Sequence, residues 1–264
     1  MLRTSAVLAA VLIAALAGTR AADPPAAKAT AYRVYVSNER SGDVTVIDPA
    51  KLDAVATIPV GKRPRGIHPS PDGKTLYVAL SGSPIHGPPE LDAKGNPVFP
   101  DEDPSQGDRA ADGIGVIEIE KHKFVRKIMT GSDPEEFAVS RDGKRIVASN
   151  EDAGTASVLN ILTGKVEAVV AVKKEPEGVA FTPDGKFVYV TCETHGEVFV
   201  IDAATNKTVA EIAVGGRPRT VAFLPDGSRA FVPSESAGTL SEIDTATYKI
   251  VRVITLPEGS RPMG

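Results

Sequence analysis

Four Asp-Gly turns recur along the chain, and this repetition is the feature that most constrains its fold. The turns begin at Asp72, Asp142, Asp184 and Asp226, at intervals of 70, 42 and 42 residues. Around each turn the order of segments is constant: an apolar run, the turn, a β-rich run, a loop, and two further β-rich runs joined by a polar turn. This order predicts four strands per repeat. Such a small sheet cannot cover both of its faces, and repeats of this length stack as the blades of a β-propeller.

One interval is longer than the others because its repeat carries an insertion. The added residues fall in the Pro- and Asp-rich segment 81–112, between the second and third strands of that blade. A first blade over about residues 32–60 lacks its innermost strand, and four complete sets of strands follow. The sequence therefore predicts an all-β protein with nineteen blade strands arranged in about five four-stranded antiparallel blades.

Composition favours this fold and disfavours a nucleic-acid partner. The chain has 24 Gly, 21 Pro and no Trp, which favours short elements separated by tight turns. Its formal net charge is −4, whereas binding to nucleic acid depends on a basic face. Cys192 is the single cysteine. An internal disulfide, a CxxCH haem attachment and a paired-cysteine zinc site are therefore excluded.

The N-terminal segment is typical of an export signal. Arg3 precedes the apolar stretch "AVLAAVLIAALAG", which ends in small residues. We predict a signal peptide over residues 1–21, a short linker over 22–31 and the propeller domain over 32–264. The apolar stretch is too short for a stable transmembrane helix, and no comparable stretch follows it. We expect a periplasmic or secreted protein without membrane insertion.

One strand of each repeat carries a related motif: "YVSN", "YVAL" and "YVTC", with the weaker "VASN" and "FVPS". The stretches "SPDGK", "TPDGK", "VTVID" and "VFVID" accompany it. From about Tyr32 to the end, the chain resembles the YVTN-repeat family of β-propellers. The stretches "ALSGSPI", "ADGIGVIE" and "SNEDAG" resemble a periplasmic subgroup associated with PQQ-dependent catabolism.

The resemblance implies a propeller of seven blades. Since the repeats account for about five, we expect a fragment that lacks its C-terminal blades, with an incompletely closed five-bladed ring as the alternative. WD repeats and the tryptophan-docked propellers of quinoprotein dehydrogenases are excluded by the absence of Trp. NHL repeats share part of the pattern and stay an alternative.

The connections between successive blades carry the candidate binding residues. In an antiparallel meander these crossovers emerge nearest the central axis, at the same end as the insertion. Each crossover contains a Pro or lies beside one, and the flanking charges alternate in sign between blades. The candidates for binding a ligand or partner at this tunnel mouth are Arg63, Arg65, Glu135, Glu136, Glu177, Arg217, Arg219 and Arg261. Arginine suits recognition of carboxylate or phosphate, so we expect a small anionic ligand or a protein partner. Alternatively, the charges pair between blades and hold the ring together.

His68 is the candidate cofactor-binding residue. It lies on a predicted innermost strand, at the position that other blades fill with Ala138, Ala180 and Ala222. A haem or metal ligand and a histidine with structural hydrogen bonds are both consistent with this placement. No two histidines have a metal-ligand spacing, and "DEDPSQGD" at 101–108 lacks the spacing of a calcium loop. We therefore predict no metal site and no bound cofactor.

The sequence contains no nucleophile motif of the GxSxG kind and no phosphate-binding Gly loop, so no catalytic residue is predicted. Our first hypothesis is a non-enzymatic periplasmic binding or scaffold propeller. The resemblance implies an accessory role in PQQ-dependent alcohol oxidation. Two alternatives stay open: a haem-binding redox propeller similar to cytochrome-type nitrite reductase, and a lactonase-like hydrolase.

Overall fold

The computed structural model describes residues 32–85 and 104–264, and the two-residue strands at 90–91 and 97–98. Residues Arg33–Gly264 form one compact unit. The predicted signal peptide and linker lie outside the described residues, as do residues 101–103 of the "DEDPSQGD" segment. In the described part of the chain, no helix is both long enough and apolar enough to cross a membrane.

Five antiparallel sheets follow one another along the chain, and we number them as blades 1–5. Blade 1 has three strands: β1 (Val34–Asn38), β2 (Asp43–Asp48) and β3 (Asp53–Pro59). Blade 2 has four: β4 (Pro64–Pro69), β5 (Thr75–Leu80), β8 (Gly113–Glu118) and β9 (Lys123–Ile128). Between β5 and β8 the insertion contains β6 (Glu90–Leu91), β7 (Pro97–Val98) and a 3-10 turn (Pro104–Gln106).

The other three blades each have four strands in simple sequential order. Blade 3 consists of β10 (Pro134–Val139), β11 (Arg145–Asn150), β12 (Thr155–Asn160) and β13 (Lys165–Ala171). Blade 4 consists of β14 (Pro176–Phe181), β15 (Phe187–Cys192), β16 (Glu197–Asp202) and β17 (Lys207–Ala213). Blade 5 consists of β18 (Ala222–Phe223), β19 (Arg229–Ser234), β20 (Thr239–Asp244) and β21 (Lys249–Thr255). The prediction of nineteen blade strands is confirmed.

The core lies between the blades. Four apolar clusters are found, one at each boundary between successive blades. At the boundary between blades 4 and 5, for example, Tyr189 and Val200 pack against Val232 and Ile243. Strands β12 and β16 are therefore buried on both faces. Because blades 2–4 each have a neighbour on either side, stacking provides the burial that a single sheet lacks.

The outer faces of blades 1 and 5 are partly uncovered in the described residues. Burial alternates along β2 and β20, as it does in a strand with one solvated face. On blade 5 this face carries Glu242 and Arg252, whose side chains form an ion pair of 2.8 Å. Blade 4 has Val200 and Ala210 at the equivalent positions, facing blade 5.

Local chemistry sets the turns within each blade. In the Asp-Gly turn of blade 4, the Asp184 carboxylate accepts hydrogen bonds from the Lys186 backbone N–H (3.1 Å) and the Thr182 hydroxyl (2.7 Å). Gly185 follows with φ of +73°, a left-handed conformation that glycine adopts without steric cost. Cys192, at the end of β15, is fully buried, and burial raises the pKa of its thiol to about 11.

Candidate functional site

The crossovers between blades share an unusual backbone conformation. Each of the four that connect one described blade to the next contains a residue with a side chain at positive φ, namely Arg63, Asp133, Glu175 and Arg217. In this conformation the carbonyl of the residue accepts a backbone hydrogen bond from the blade that the crossover leads into. The donor is the residue that follows the second strand of that blade. The Glu151 N–H, for example, donates to the Asp133 carbonyl at 2.9 Å. This repeated bond attaches each crossover to the sheet of the blade that it leads into.

A second ring of residues faces the crossovers. It consists of the first residue after the second strand in blades 2–5 and after β1 in blade 1, which lacks the innermost strand: Glu39, Ser81, Glu151, Glu193 and Glu235. Four of these five are glutamates. They bring carboxylates to the same end of the propeller as the crossover arginines. We call them the loop residues.

At most boundaries the loop residue of one blade pairs with the crossover that leads to the next. Glu39 binds Arg63 Nε at 2.8 Å, and Glu193 binds Arg217 Nη2 at 2.7 Å. Where the crossover offers a carboxylate instead, at Asp133, the loop residue is Ser81, whose hydroxyl donates to it. The inter-blade pairing considered from the sequence is therefore present.

The boundary between blades 3 and 4 breaks this rule, because Glu151 and the crossover residue Glu175 are both acidic. Glu175 accepts a hydrogen bond from the Thr194 hydroxyl. Glu151 instead lies with Asp133 and Glu135 of its own blade, with one oxygen of each within 4.8 Å of the others. Blade 3 therefore concentrates negative charge at this end of the propeller, on Asp133, Glu135 and Glu151.

Where the crossovers converge there is a cavity of about 380 Å³, which we call the axial cavity. Its wall is formed by Arg65, Gly66, Glu135, Glu136, Glu177, Arg219, Thr220, Met263 and Gly264. Both arginines of the wall bind wall carboxylates: Arg65 contacts Glu135, and Arg219 Nη2 lies 3.2 Å from Glu177 Oε1. The cavity therefore presents both signs of charge within a few ångströms.

Burial strongly affects the acidic groups of this region. It raises the pKa of Glu135 well above its ordinary value, against the opposing effect of Arg65. It also raises the pKa of Glu177, opposed by Arg219, and that of Glu151 to about 7. Desolvation disfavours the charged form of each carboxylate. A protonated carboxyl group can then donate a hydrogen bond to a ligand or to a neighbouring carboxylate.

The structure places five of the eight predicted tunnel-mouth residues in the axial wall: Arg65, Glu135, Glu136, Glu177 and Arg219. Arg63 instead lines a second cavity, of about 280 Å³, between blades 1 and 2. Arg217 binds Glu193, and Arg261 Nη2 lies 3.1 Å from Glu235 Oε1. These three arginines belong to the charged ring around the axial cavity rather than to its described wall.

His68 lies on β4 and faces blade 3. Its Nε2 is 2.8 Å from Glu136 Oε1, and the edge of its ring contacts Phe137, with the ring centroids 5.0 Å apart. The side chain is 44% exposed. The hydrogen bond engages the ring nitrogen that an axial haem ligand would commonly use. His68 and Glu136 thus form a histidine–carboxylate pair, in which Glu136 belongs to the axial wall and His68 lies behind it, outside the lining.

The loop residues are the part of the site that sequence reasoning missed. Glu39, Glu151, Glu193 and Glu235 recur at the period of the Asp-Gly turns, one residue after each motif strand. An alignment of that position would have identified them. The cluster of Asp133, Glu135 and Glu151 depends on tertiary contact, and its members have no spacing typical of metal ligands.

A family model decides the classification. Residues 26–181, more than half of the chain, match the model described as "Lactonase, 7-bladed beta-propeller". The chain belongs to this lactonase family. The description of the family specifies a propeller of seven blades, whereas the described part of the present chain contains five. No curated protein matches it.

Solved structures confirm the propeller fold of this lactonase-family chain. A structure of Kuenenia stuttgartiensis hydrazine synthase aligns with a TM-score of 0.67 and 23% sequence identity. The alignment covers 85% of this chain and 71% of that one. At this identity the likeness establishes the fold. Since 1467 chains of solved structures match, the fold is common and does not itself specify an activity.

Proposed function

We propose that the protein is a binding propeller whose axial cavity holds a small polar ligand. The observation that carries this proposal is the meeting of Arg65 and Arg219 with Glu136 and Glu177 in one cavity of about 380 Å³. Arg65 also pairs with Glu39, and Arg219 also pairs with Glu193 and Glu235. Because a guanidinium has five N–H donors, each can still offer a donor to a ligand anion. The carboxylates accept hydrogen bonds from hydroxyl or ammonium groups. The matching ligand carries an acidic group together with such donors, as hydroxy acids and amino acids do.

The cellular setting we propose follows from the sequence. The signal-like N-terminal segment supports a periplasmic location. The resemblance to the YVTN subgroup supports an accessory, non-enzymatic role in PQQ-dependent alcohol oxidation. Acids produced by alcohol oxidation carry the group that arginines recognise, so the cavity and the proposed pathway agree in ligand chemistry.

A thermal-shift screen tests ligand binding. The probes are a panel of hydroxy acids, sugar acids and amino acids. Thr220 lies in the cavity wall, so Thr220→Phe should fill the cavity and abolish any ligand-dependent rise in Tm. Thr208→Phe, on the exposed face of β17, is the matched control and should respond like the wild type. If no probe raises the Tm, or if Thr220→Phe responds equally, the axial cavity is not the binding site.

Lactone hydrolysis is a second candidate, supported by the family match and by the contact of 2.8 Å between His68 Nε2 and Glu136 Oε1. With Glu136 holding the ring, His68 takes a proton from a water whose oxygen attacks the lactone carbonyl carbon. The bond between that carbon and the ring oxygen then breaks, and the proton passes to the ring oxygen. The product is a hydroxy acid. Arg65 and Arg219 provide donors for the oxyanion.

This candidate is tested by incubating the protein with a panel of lactones and measuring the release of acid. His68→Asn should lower kcat/KM at least 100-fold, the magnitude typical of a lost general base. His195→Asn, in a loop of blade 4, is the control and should retain activity. Ligand-dependent stabilisation without turnover would leave the binding proposal standing and remove the hydrolase.

A further inference from the structure

Asp133, Glu135 and Glu151 bring three carboxylates together at the axial end of blade 3. Asp133 is completely buried and Glu135 is 4% exposed, whereas Glu151 is partly buried. One oxygen of each lies within 4.8 Å of the other two. Two oxygens that bind a common Ca²⁺ at about 2.4 Å are at most about 4.8 Å apart. The spacing is therefore that of a cation site without large rearrangement.

One buried oxygen of this cluster, Asp133 Oδ2, has no hydrogen-bond donor among the described residues, whereas Glu135 Oε1 is in contact with Arg65 Nη1. Arg63 Nη1 lies 3.7 Å from Asp133 Oδ2, beyond hydrogen-bond distance, and is itself without an acceptor. Buried polar atoms are nearly always satisfied by protein, water or an ion. The unpartnered oxygen of Asp133 is a second observation, independent of the clustering, that points to a bound species.

The charges around the cluster favour a cation. Arg63 faces Asp133 and Arg65 contacts Glu135. In the described part of the chain no lysine or arginine lies within 4.0 Å of Glu151. The buried carboxylate of Glu177 adds a further negative charge nearby. Three cluster carboxylates thus face two arginines, and one of the three, Glu151, is the loop residue whose crossover residue, Glu175, is also acidic.

We propose that Asp133, Glu135 and Glu151 bind a Ca²⁺ ion that joins the crossover of blade 3 to its neighbouring loop. Ca²⁺ takes oxygen ligands in flexible geometry and completes its shell with water or backbone carbonyls. This suits ligands that come from a crossover, a strand and a loop. The ion neutralises Glu151, which has no crossover partner of opposite charge, and fixes Glu135 in the axial wall. This role is separate from the proposed ligand binding, and its test uses the metal alone.

The experiment starts from chelator-treated protein. Elemental analysis after dialysis against Ca²⁺ should give one ion per chain, and calorimetric titration should give a Kd of about 10⁻⁴ M or tighter, as in extracellular calcium modules. Glu151→Gln should weaken the affinity at least tenfold, because binding needs the charged oxygens. Glu211→Gln, on β17 at an exposed position, is the matched control and should bind normally.

The proposal fails if wild-type protein shows neither stoichiometric Ca²⁺ nor a Ca²⁺-dependent rise in Tm. It also fails if Glu151→Gln, shown by circular dichroism to be folded, binds Ca²⁺ with unchanged affinity. A third result would also contradict the proposal. In it, the chelator-treated Glu151→Gln protein is more stable than the chelator-treated wild type, and Ca²⁺ changes the Tm of neither protein. In that case a proton shared between the carboxyl groups, rather than a metal, relieves the repulsion.

Discussion

Four crossovers place an arginine, an aspartate or a glutamate in the left-handed region of backbone space, at φ between 42° and 55°. For residues other than glycine this costs on the order of 1 kcal/mol each, and such strain clusters at functional sites. Here it directs the carbonyl of each residue to the sheet and its side chain to the charged ring. The strain is offset by a backbone hydrogen bond of 2.8–3.3 Å at each crossover.

Comparing substitutions at two glycines with the same positive φ distinguishes the energetic cost of backbone strain from that of a steric clash. Gly185 and Gly42 both have φ of +73°, but a Cβ added at Gly185 meets nothing within 4 Å, whereas one at Gly42 would lie 2.5 Å from Gly61 O. Gly185→Ala should lower the free energy of unfolding by about 1 kcal/mol, the cost of the conformation alone. Gly42→Ala should cost about 2–4 kcal/mol because overpacking is added. Urea unfolding of both variants measures the difference, and equal losses would contradict this interpretation.

The Asp-Gly turn is the element that sets the repeat. Its aspartate accepts a backbone N–H two residues later in every complete blade, as at Asp72, Asp142, Asp184 and Asp226. In three of the four, a Ser or Thr hydroxyl two residues earlier also donates to it. These bonds favour the charged carboxylate, so the pKa of each of these aspartates is lowered.

Acid should therefore weaken the turns. The backbone N–H and hydroxyl donors lower the pKa of Asp184 to about 2, from an ordinary 3.8. Its stabilising effect is complete above pH 4 or so and is lost as the pH falls towards 2, because the unfolded chain binds the proton more tightly there. Asp184→Asn should flatten this part of the stability profile. Urea midpoints between pH 2 and 5 measure it, and an unchanged slope would count against the turn as its origin.

The elements were predictable because their signals are local. An Asp-Gly pair specifies a turn through φ at Gly and hydrogen bonds at Asp, and alternating β-branched residues specify the flanking strands. The partial burial of β2 was less accessible to sequence reasoning. Strand β2 is as apolar as β12, so its burial depends on whether another blade covers the face. In β20, by contrast, Glu242 stands where blade 4 has Val200, which was a signal in the sequence.

At the scale of the whole molecule, charge pairing links each blade to the next. The ring is built from crossover and loop residues that lie far apart in sequence, such as Arg63 and Glu39 or Arg217 and Glu193. Of the eight crossover residues that the sequence predicted at the tunnel mouth, five line the axial cavity. The sequence could not show that Arg63 turns towards a second cavity, since side-chain direction depends on the neighbouring loop.

A double substitution tests whether pairing follows this rule. In chelator-treated protein, Ser81→Glu places a second carboxylate against buried Asp133 and should lower stability by about 3 kcal/mol, as expected for an unpaired buried charge. Adding Asp133→Arg recreates the pairing of Glu39 with Arg63 and should recover at least half of that loss. A double-mutant cycle from urea unfolding gives the coupling, and additive effects would refute the rule.

The ion pair between Glu242 and Arg252 on the outer face of blade 5 bears on solubility. Apolar Val200 and Ala210 occupy these positions in blade 4, where another blade covers them. An uncovered apolar sheet face adheres to copies of itself, and charged residues in its centre act as gatekeepers, because any sheet that packs there must first strip their water. Where this face is exposed, as it is among the described residues, two side chains far from the axis thereby disfavour self-association.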